Sequence, residues 1–372
     1  MIVNQWVPAA HRGDAIGDSA RRVRDLLRSL GHASNIYALT IDDDMRDEVR
    51  AFSSPEASSG DVTIFHYALP SPMTSAFAAL PRGRVLQYHN ITPSHFFADY
   101  EPGVFRITAL GRRDLASLAG RADLALGDSD YNRRELEGLG FPRTGVFPIA
   151  LNLERIAAAP PHPVLDRMLN DGLTNFLFVG RIVPNKRVED IIRLAEFYKR
   201  YIDTHYRFIF VGRSDGVPRY HATVRALIRQ FDMLPERFLF PGAVADWELA
   251  AYYRSASAYL SLSEHEGFCV PLLEAMAAGV PVFAYESTAV GETLGGAGVC
   301  WSPKDLEFAA ELLGQVTFDP AIRAKVIAGQ YARLEHFSEA RMVDRLKEAI
   351  SAVSGDRPQP AWNLGPVPKG KL

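Results

Sequence analysis

The sequence holds little cysteine: two in 372 residues, Cys269 and Cys300, with no paired spacing. That excludes a disulfide-stapled scaffold or a cysteine-built zinc site and points to a reducing compartment. An excess of basic charge is also missing. Lys and Arg total 41 against 44 Asp and Glu, a formal net charge of −3, which argues against a general nucleic-acid binder. No run of about 18 uncharged apolar residues occurs, so no segment is expected to span a membrane. The opening "MIVNQWVPAAHRGD" has no basic region followed by a long apolar stretch, so no signal peptide is expected and a cytoplasmic location is. Internal repeats and extended low-complexity segments are absent too.

What is present is the composition of a soluble globular protein, 47% hydrophobic and 23% charged. The length, about twice that of a usual single domain, favours two domains. Short apolar runs alternate with longer amphipathic ones, the pattern of parallel sheets with helical crossovers. Strands are expected near 1–5, 35–39, 62–67, 84–89, 124–129 and 145–149, then at 175–180, 206–212, 237–242, 258–263 and 280–285. The clearest helix, 18–31, sets Val23, Leu26, Leu27 and Leu30 on one face with Gly31 as a stop. Its "RRVRDLLR" reads as the wet side of that amphipathic helix. The Pro-rich stretch at 157–172 reads as an interdomain linker. These boundaries give a first domain at 1–155, a linker at 156–172, a second domain at 173–354 and a poorly ordered tail at 355–372. A C-terminal helix near 335–353 is expected to pack back on the first domain.

Open α/β sheets bind ligands beyond the carboxyl ends of their strands. After the strand "NFLFV" comes "GRIVPNKR". Gly180 lets the chain turn closely, and Arg181 and Lys186 supply a guanidinium fork and a point charge suited to diphosphate oxygens. After "AYLSLS" comes "EHEGFCVPLLE", 264–274. Pro271 is placed to open a helix, with Glu274 in its first turn near the positive helix end. Gly267 allows close backbone approach, and N–H groups at Phe268, Cys269 and the helix start at Val270 can receive an anion. Glu266 is placed to reach hydroxyls at the other end of one ligand. Two cations for phosphates and two carboxylates for hydroxyls describe a nucleotide-sugar pocket.

These two motifs, in this order and spacing, resemble the family-four retaining glycosyltransferases of the GT-B fold. The resemblance covers most of residues 1–350 and is specific in the second half. It implies an α/β fold of two Rossmann-like doubly wound domains facing across a cleft. It further implies that Glu274 binds ribose hydroxyls, Arg181 and Lys186 the diphosphate, and Glu266 with the backbone after Gly267 the donor sugar. Gly212 would lie along the nucleotide, and "FPGAV", ending at Val244, would hold the base. In the first half, Gly13 and Gly17 stand in the place of the family's glycine loop near the diphosphate, without its adjacent double glycine. His89 stands at a strand end where the family often has a histidine facing the donor sugar. Cys269 occupies a position where a small residue, often Gly, is common.

Two further segments carry weaker signals. "DDDMRDE" (42–48) reads as a solvated loop rather than a metal motif. In "GDSDYN" (127–132), Ser129 or Asp130 caps the following helix, and the resemblance places the region on the acceptor side. Aromatics in 88–105 either face an acceptor or pack on their own domain. The resemblance therefore implies a hexosyltransferase using a GDP- or UDP-linked sugar, with retention and no metal. Its acceptor would be a glycan, a lipid-linked glycan or a small sugar, in cell-envelope polysaccharide or glycolipid assembly. Contact with the inner face of a membrane would follow. A nucleotide-sugar 2-epimerase on the same architecture and a non-catalytic nucleotide-sugar-binding protein are the alternatives.

Overall fold

The computed structural model describes residues 1–11 and 13–355. The tail expected to be poorly ordered lies, from 356 onward, outside the described residues. The chain forms two compact units. One comprises 1–94, 103–152 and the segment from 336; the other comprises 95–102 and 153–335.

The first unit is built on β1 (Ile2–Ala10), β2 (Ala33–Ile41), β3 (Val49–Ala51), β4 (Val62–Tyr67), β5 (Arg84–Tyr88), β6 (Leu124–Gly127) and β7 (Thr144–Val146). They form one sheet in the order β3-β2-β1-β4-β5-β6-β7, parallel throughout. Helices on both faces explain why β4 is buried at every position, as parallel strands usually are. Helix Ala15–Ser29 is N-capped by Asp14, which accepts from the Gly17 N–H. It buries Val23, Leu26 and Leu27 against Val3, Val62 and Val85. Helix Glu339–Ser354 adds Met342, Leu346 and Ile350 to the same core. Arg345 Nη1 pins it by donating to the Val146 carbonyl at 2.8 Å. On the opposite face Trp6 packs with Phe65, Phe77 and Tyr67 and donates its indole N–H to the Ala57 carbonyl.

The second unit carries β8 (Thr174–Val179), β9 (Tyr206–Val211), β10 (Phe238–Gly242), β11 (Ala258–Ser261), β12 (Val282–Tyr285) and β13 (Val299–Trp301). Their order is β10-β9-β8-β11-β12-β13, again all parallel. In each sheet the strand order reverses once, between β1 and β4 and between β8 and β11. β3 and β13, three residues each, escape sequence reading. No helix among the described residues is long and apolar enough to cross a membrane.

Two expectations need correction. The stretch read as a linker is part of the second unit; it follows on the end of one short helix, Glu154–Ala157, and holds another, Leu165–Leu169. Its prolines sit between them, so none interrupts a helix. Its Trp247-facing His162 stacks at 4.2 Å on that ring, and Asn175 ties its Leu169 carbonyl to β8. Residues 95–102, read as part of the first domain, likewise belong to the second unit. There the Tyr100 ring meets Tyr220 edge-on at 5.3 Å.

Candidate functional site

In the second unit the strands on either side of the order reversal, β8 and β11, end in the two motifs. At the β8 side, Gly180 and Gly212 follow neighbouring strands with φ of 151° and 140°. A Cβ on Gly212 would lie 2.1 Å from the Gly180 carbonyl oxygen, so the close backbone approach there requires glycine. Arg181 is exposed and has no ion pair among the described residues. Residues 184–186 form a single 3-10 turn, and Arg187 follows with φ 52°.

Lys186 and Glu266 come together directly. The ammonium lies 2.6 and 2.7 Å from the two carboxylate oxygens, with the lysine side chain 20% and the glutamate 7% exposed. The loop bearing Glu266 is held at its backbone. Asn185 Nδ2 donates to the His265 carbonyl at 3.0 Å, and the Asn185 carbonyl accepts from the Glu264 N–H at 2.9 Å. The Thr288 hydroxyl accepts from the Glu266 N–H at 2.8 Å and donates to its carbonyl at 2.9 Å. Thr293 donates to the Phe268 carbonyl at 2.6 Å. Thr288 (φ 45°), Cys269 (φ 71°) and Arg187 are three of five non-glycine residues with positive φ among the described residues. Such strain persists where surrounding structure over-determines it, commonly at binding sites.

The left-handed position of the loop falls on Cys269, directly before helix Val270–Ala277. This gives a physical reason for a small residue there. The thiol is buried and pushed well above its ordinary range by burial and the Glu266 charge, so it is no thiolate nucleophile. The helix opens at Val270, with Pro271 second. Glu274 is therefore its fifth residue and not in its first turn, so charge compensation at the helix end does not explain it. Glu274 is instead buried, 4% exposed. Arg155 Nη2 lies 2.5 Å from its Oε1, and the Tyr253 hydroxyl donates to Oε2 at 3.0 Å. Burial pushes this carboxyl up, opposed chiefly by the Arg155 charge. Val244 is half-buried in the loop after β10, before helix Asp246–Ser255.

The remaining candidates lie in the first unit. Gly13 is exposed with φ 74°. Gly17 is buried inside the capped helix, and its N–H is committed to Asp14 at 3.0 Å, so it offers no free donor to a phosphate. His89 also departs from expectation, because both ring nitrogens are taken. Gln5 donates to the Ala20 carbonyl at 3.0 Å, which leaves its oxygen to accept from His66 Nε2 at 3.0 Å. His66 Nδ1 faces His89 Nε2 at 2.8 Å, and His89 Nδ1 faces Asp128 Oδ2 at 3.0 Å. Asp128 accepts in turn from Gln87 at 2.7 Å. Burial holds the His66 ring well below its ordinary range, with the neighbouring His89 adding to it. Ser129 caps helix Asp130–Gly138, accepting from the Asn132 N–H at 3.2 Å. In the acidic run, Asp43 pairs with Arg46 and Glu48 with Arg24.

Sequence reasoning missed Arg155, Tyr253 and Thr288. Each acts across a long sequence separation and lies in no recognisable motif; only the topology brings them to the two glutamates.

Two parallel doubly wound units with a cation–carboxylate site at a strand-order reversal define the GT-B class of fold. Residues 168–333 match the family model described as glycosyl transferases group 1. The chain is 32% identical, over 164 residues, to a GDP-mannose-dependent alpha-mannosyltransferase of Mycobacterium tuberculosis, covering 44% of this chain and 39% of that one. It is 26% identical, over 222 residues, to the O-antigen chain mannosyltransferase B of Escherichia coli, covering 58% of this chain and 57% of that one. The matches thus span less than two thirds of either relative. Among solved structures, Anabaena HepE in complex with UDP-glucose aligns with a TM-score of 0.74 at 16% identity, over 95% of this chain and all of that one (100%).

Proposed function

We propose that the protein is a retaining, metal-independent glycosyltransferase that moves a hexose from a nucleoside diphosphate sugar to a glycan or lipid-linked acceptor. The setting we infer is cell-envelope polysaccharide or glycolipid assembly, with the enzyme working in the cytoplasm at the inner face of the membrane. The names of the two relatives favour mannose as the sugar, and the first of them GDP as its carrier. One observation carries the reading: Lys186 paired with Glu266, beside the exposed Arg181 and the buried Glu274, at the ends of adjacent strands.

In the proposed reaction the bond between the sugar's anomeric carbon and the β-phosphate oxygen breaks, and its electron pair stays on the phosphate. The acceptor hydroxyl oxygen bonds the anomeric carbon on the same face and passes its proton to that phosphate. Arg181 and Lys186 supply preorganised positive charge where negative charge develops, usually the largest catalytic contribution. Glu266 anchors the ammonium and accepts from sugar hydroxyls, and Glu274 accepts from the ribose.

Transfer is tested with GDP-mannose and UDP-glucose on cell-envelope glycan acceptors, with EDTA added and product configuration read by NMR. Activity should persist in EDTA and the anomeric configuration should be retained. Lys186→Ala and Glu274→Ala should each lower transfer below detection while circular dichroism stays native. Near-normal transfer by either variant overturns the site assignment, and isomerised sugar from donor alone would favour an epimerase.

A further inference from the structure

Arg155 lies on the short helix Glu154–Ala157, outside both motifs, yet it reaches two carboxylates at once. Its Nη2 is 2.5 Å from Glu274 Oε1 and its Nη1 is 2.6 Å from Asp246 Oδ1. The guanidinium is 27% exposed and the Glu274 carboxylate 6%. Tyr253 occupies the other oxygen of Glu274 at 3.0 Å. A carboxylate offers about four acceptor positions, so each oxygen, with one fixed donor, keeps a lone pair for a vicinal diol. The two protein donors therefore leave an oriented acceptor pair rather than a saturated one.

We propose that Arg155 is a positioning residue for nucleoside recognition, aiming Glu274 and keeping it anionic so that it can accept from a pair of ribose hydroxyls. This rests on the donor-site reading above. The groups facing Glu274 are Arg155, Tyr253 and Asp246 from helix Asp246–Ser255, and Tyr259 from β11. Of these, Arg155 is the main one opposing burial and Asp246 works with burial. Without Arg155 the carboxyl takes up its proton at higher pH and becomes a donor where the ribose needs an acceptor. Asp246 acts with the opposite sign.

The test measures GDP and UDP affinity by calorimetry across a pH series for wild type, Arg155→Met and Arg155→Lys. Wild type should bind one nucleotide with little dependence on pH. Arg155→Met should bind more weakly, losing up to about tenfold per pH unit as the pH falls, and Arg155→Lys should restore much of the flat profile. A loss of equal factor at every pH, as a purely structural role would give, overturns the inference. So does an unchanged affinity. Should Arg155→Met not fold, ¹³C NMR titration of the Glu274 carboxyl decides with Asp246→Asn, whose position is 64% exposed. Its midpoint should move down, and a midpoint that stays in place or rises overturns the inference. Wild type binding neither nucleotide sinks the donor reading together with this inference, whereas binding with parallel pH profiles sinks the inference alone.

Discussion

The two sheets reverse strand order in the same way but place opposite chemistry at the reversal. In the second unit the strand ends carry ion pairs at the boundary of burial, with Lys186 20% exposed and Arg181 open to solvent. In the first unit the reversal carries a closed chain, Gln5–His66–His89–Asp128–Gln87, in which the His89 and Asp128 side chains are each 1% exposed. A pair at the boundary can exchange partners with an arriving anion or hydroxyl. A buried chain of hydrogen-bonded side chains holds its groups in one arrangement, because breaking it strands a desolvated donor or acceptor. On the reading proposed above, the same topology serves one reversal as a ligand site and the other as a rigid frame.

The comparison is broken most directly at glycines. A Cβ on Gly212 meets the Gly180 carbonyl at 2.1 Å and one on Gly83 meets the Asp61 carbonyl at 2.2 Å, both with positive φ. Gly212→Ala and Gly83→Ala should each cost about 3 kcal/mol in urea unfolding. Only Gly212→Ala should also weaken nucleotide binding by the folded fraction; equal binding by both variants would contradict a ligand role for the β9 end. Next in size, Lys186→Met strands the Glu266 carboxylate and should cost about 3 kcal/mol. His66→Leu strands Gln5 and His89 and should cost about 2 kcal/mol. A high concentration of sulfate should partly offset Lys186→Met if that strand end is an anion site, and leave His66→Leu where it is beyond the general salt effect on wild type.

The same contrast explains what was legible in the sequence. Strands buried on both faces, such as β4 and β9, announce themselves as short, mostly apolar runs, and the helix at 15–29 by its apolar face. The second unit's site was readable because its charges fall in two contiguous motifs directly after strands. Arg155 was not, since a guanidinium at the end of the expected first domain, in no motif, gives no signal until the fold brings it to Glu274. Nor was the commitment of His89, which depends on Gln5, His66 and Asp128 from three other strands or the loops after them. The Pro-rich 157–172 misled because proline excludes a helix interior, not a compact segment between short helices. Glu274 was placed one residue too near the helix start because that start could not be fixed without seeing the left-handed Cys269.

A smaller effect sharpens the comparison at Thr288. Its hydroxyl clamps both backbone groups of Glu266 from a conformation that disfavours β-branched residues. Thr288→Val should cost about 1–2 kcal/mol for the two lost hydrogen bonds and weaken nucleotide-sugar binding. Thr288→Ser keeps the hydroxyl on a less crowded side chain and should match wild type in both. Calorimetric binding with thermal unfolding checks the pair, and a Ser variant as impaired as Val would assign the effect to packing of the methyl instead of the clamp.

The smallest effect concerns sign rather than size. Burial raises Glu274 above its ordinary 4.5 in the folded protein. A group raised in the folded state contributes stability that is fully present below its unfolded value and lost as pH rises through its folded value. Ionised Glu274 is therefore a cost near neutrality, the form the proposed ribose contact requires, and Glu274→Gln should gain on wild type as the pH climbs from about 4.5. In the first unit Asp123 runs the other way. Burial pushes it up, but the hydrogen bonds and charge of Arg84 outweigh this and hold it below its ordinary 3.8. Its contribution is present above the unfolded value and lost as pH falls through the folded one, so Asp123→Asn should lose ground to wild type as pH rises toward about 4. Urea midpoints over a pH series read both slopes. Slopes of the same sign would mean that Glu274, like Asp123, is an ion-paired structural carboxylate, and the contrast between the two units would fail at the residue on which the nucleotide reading most depends.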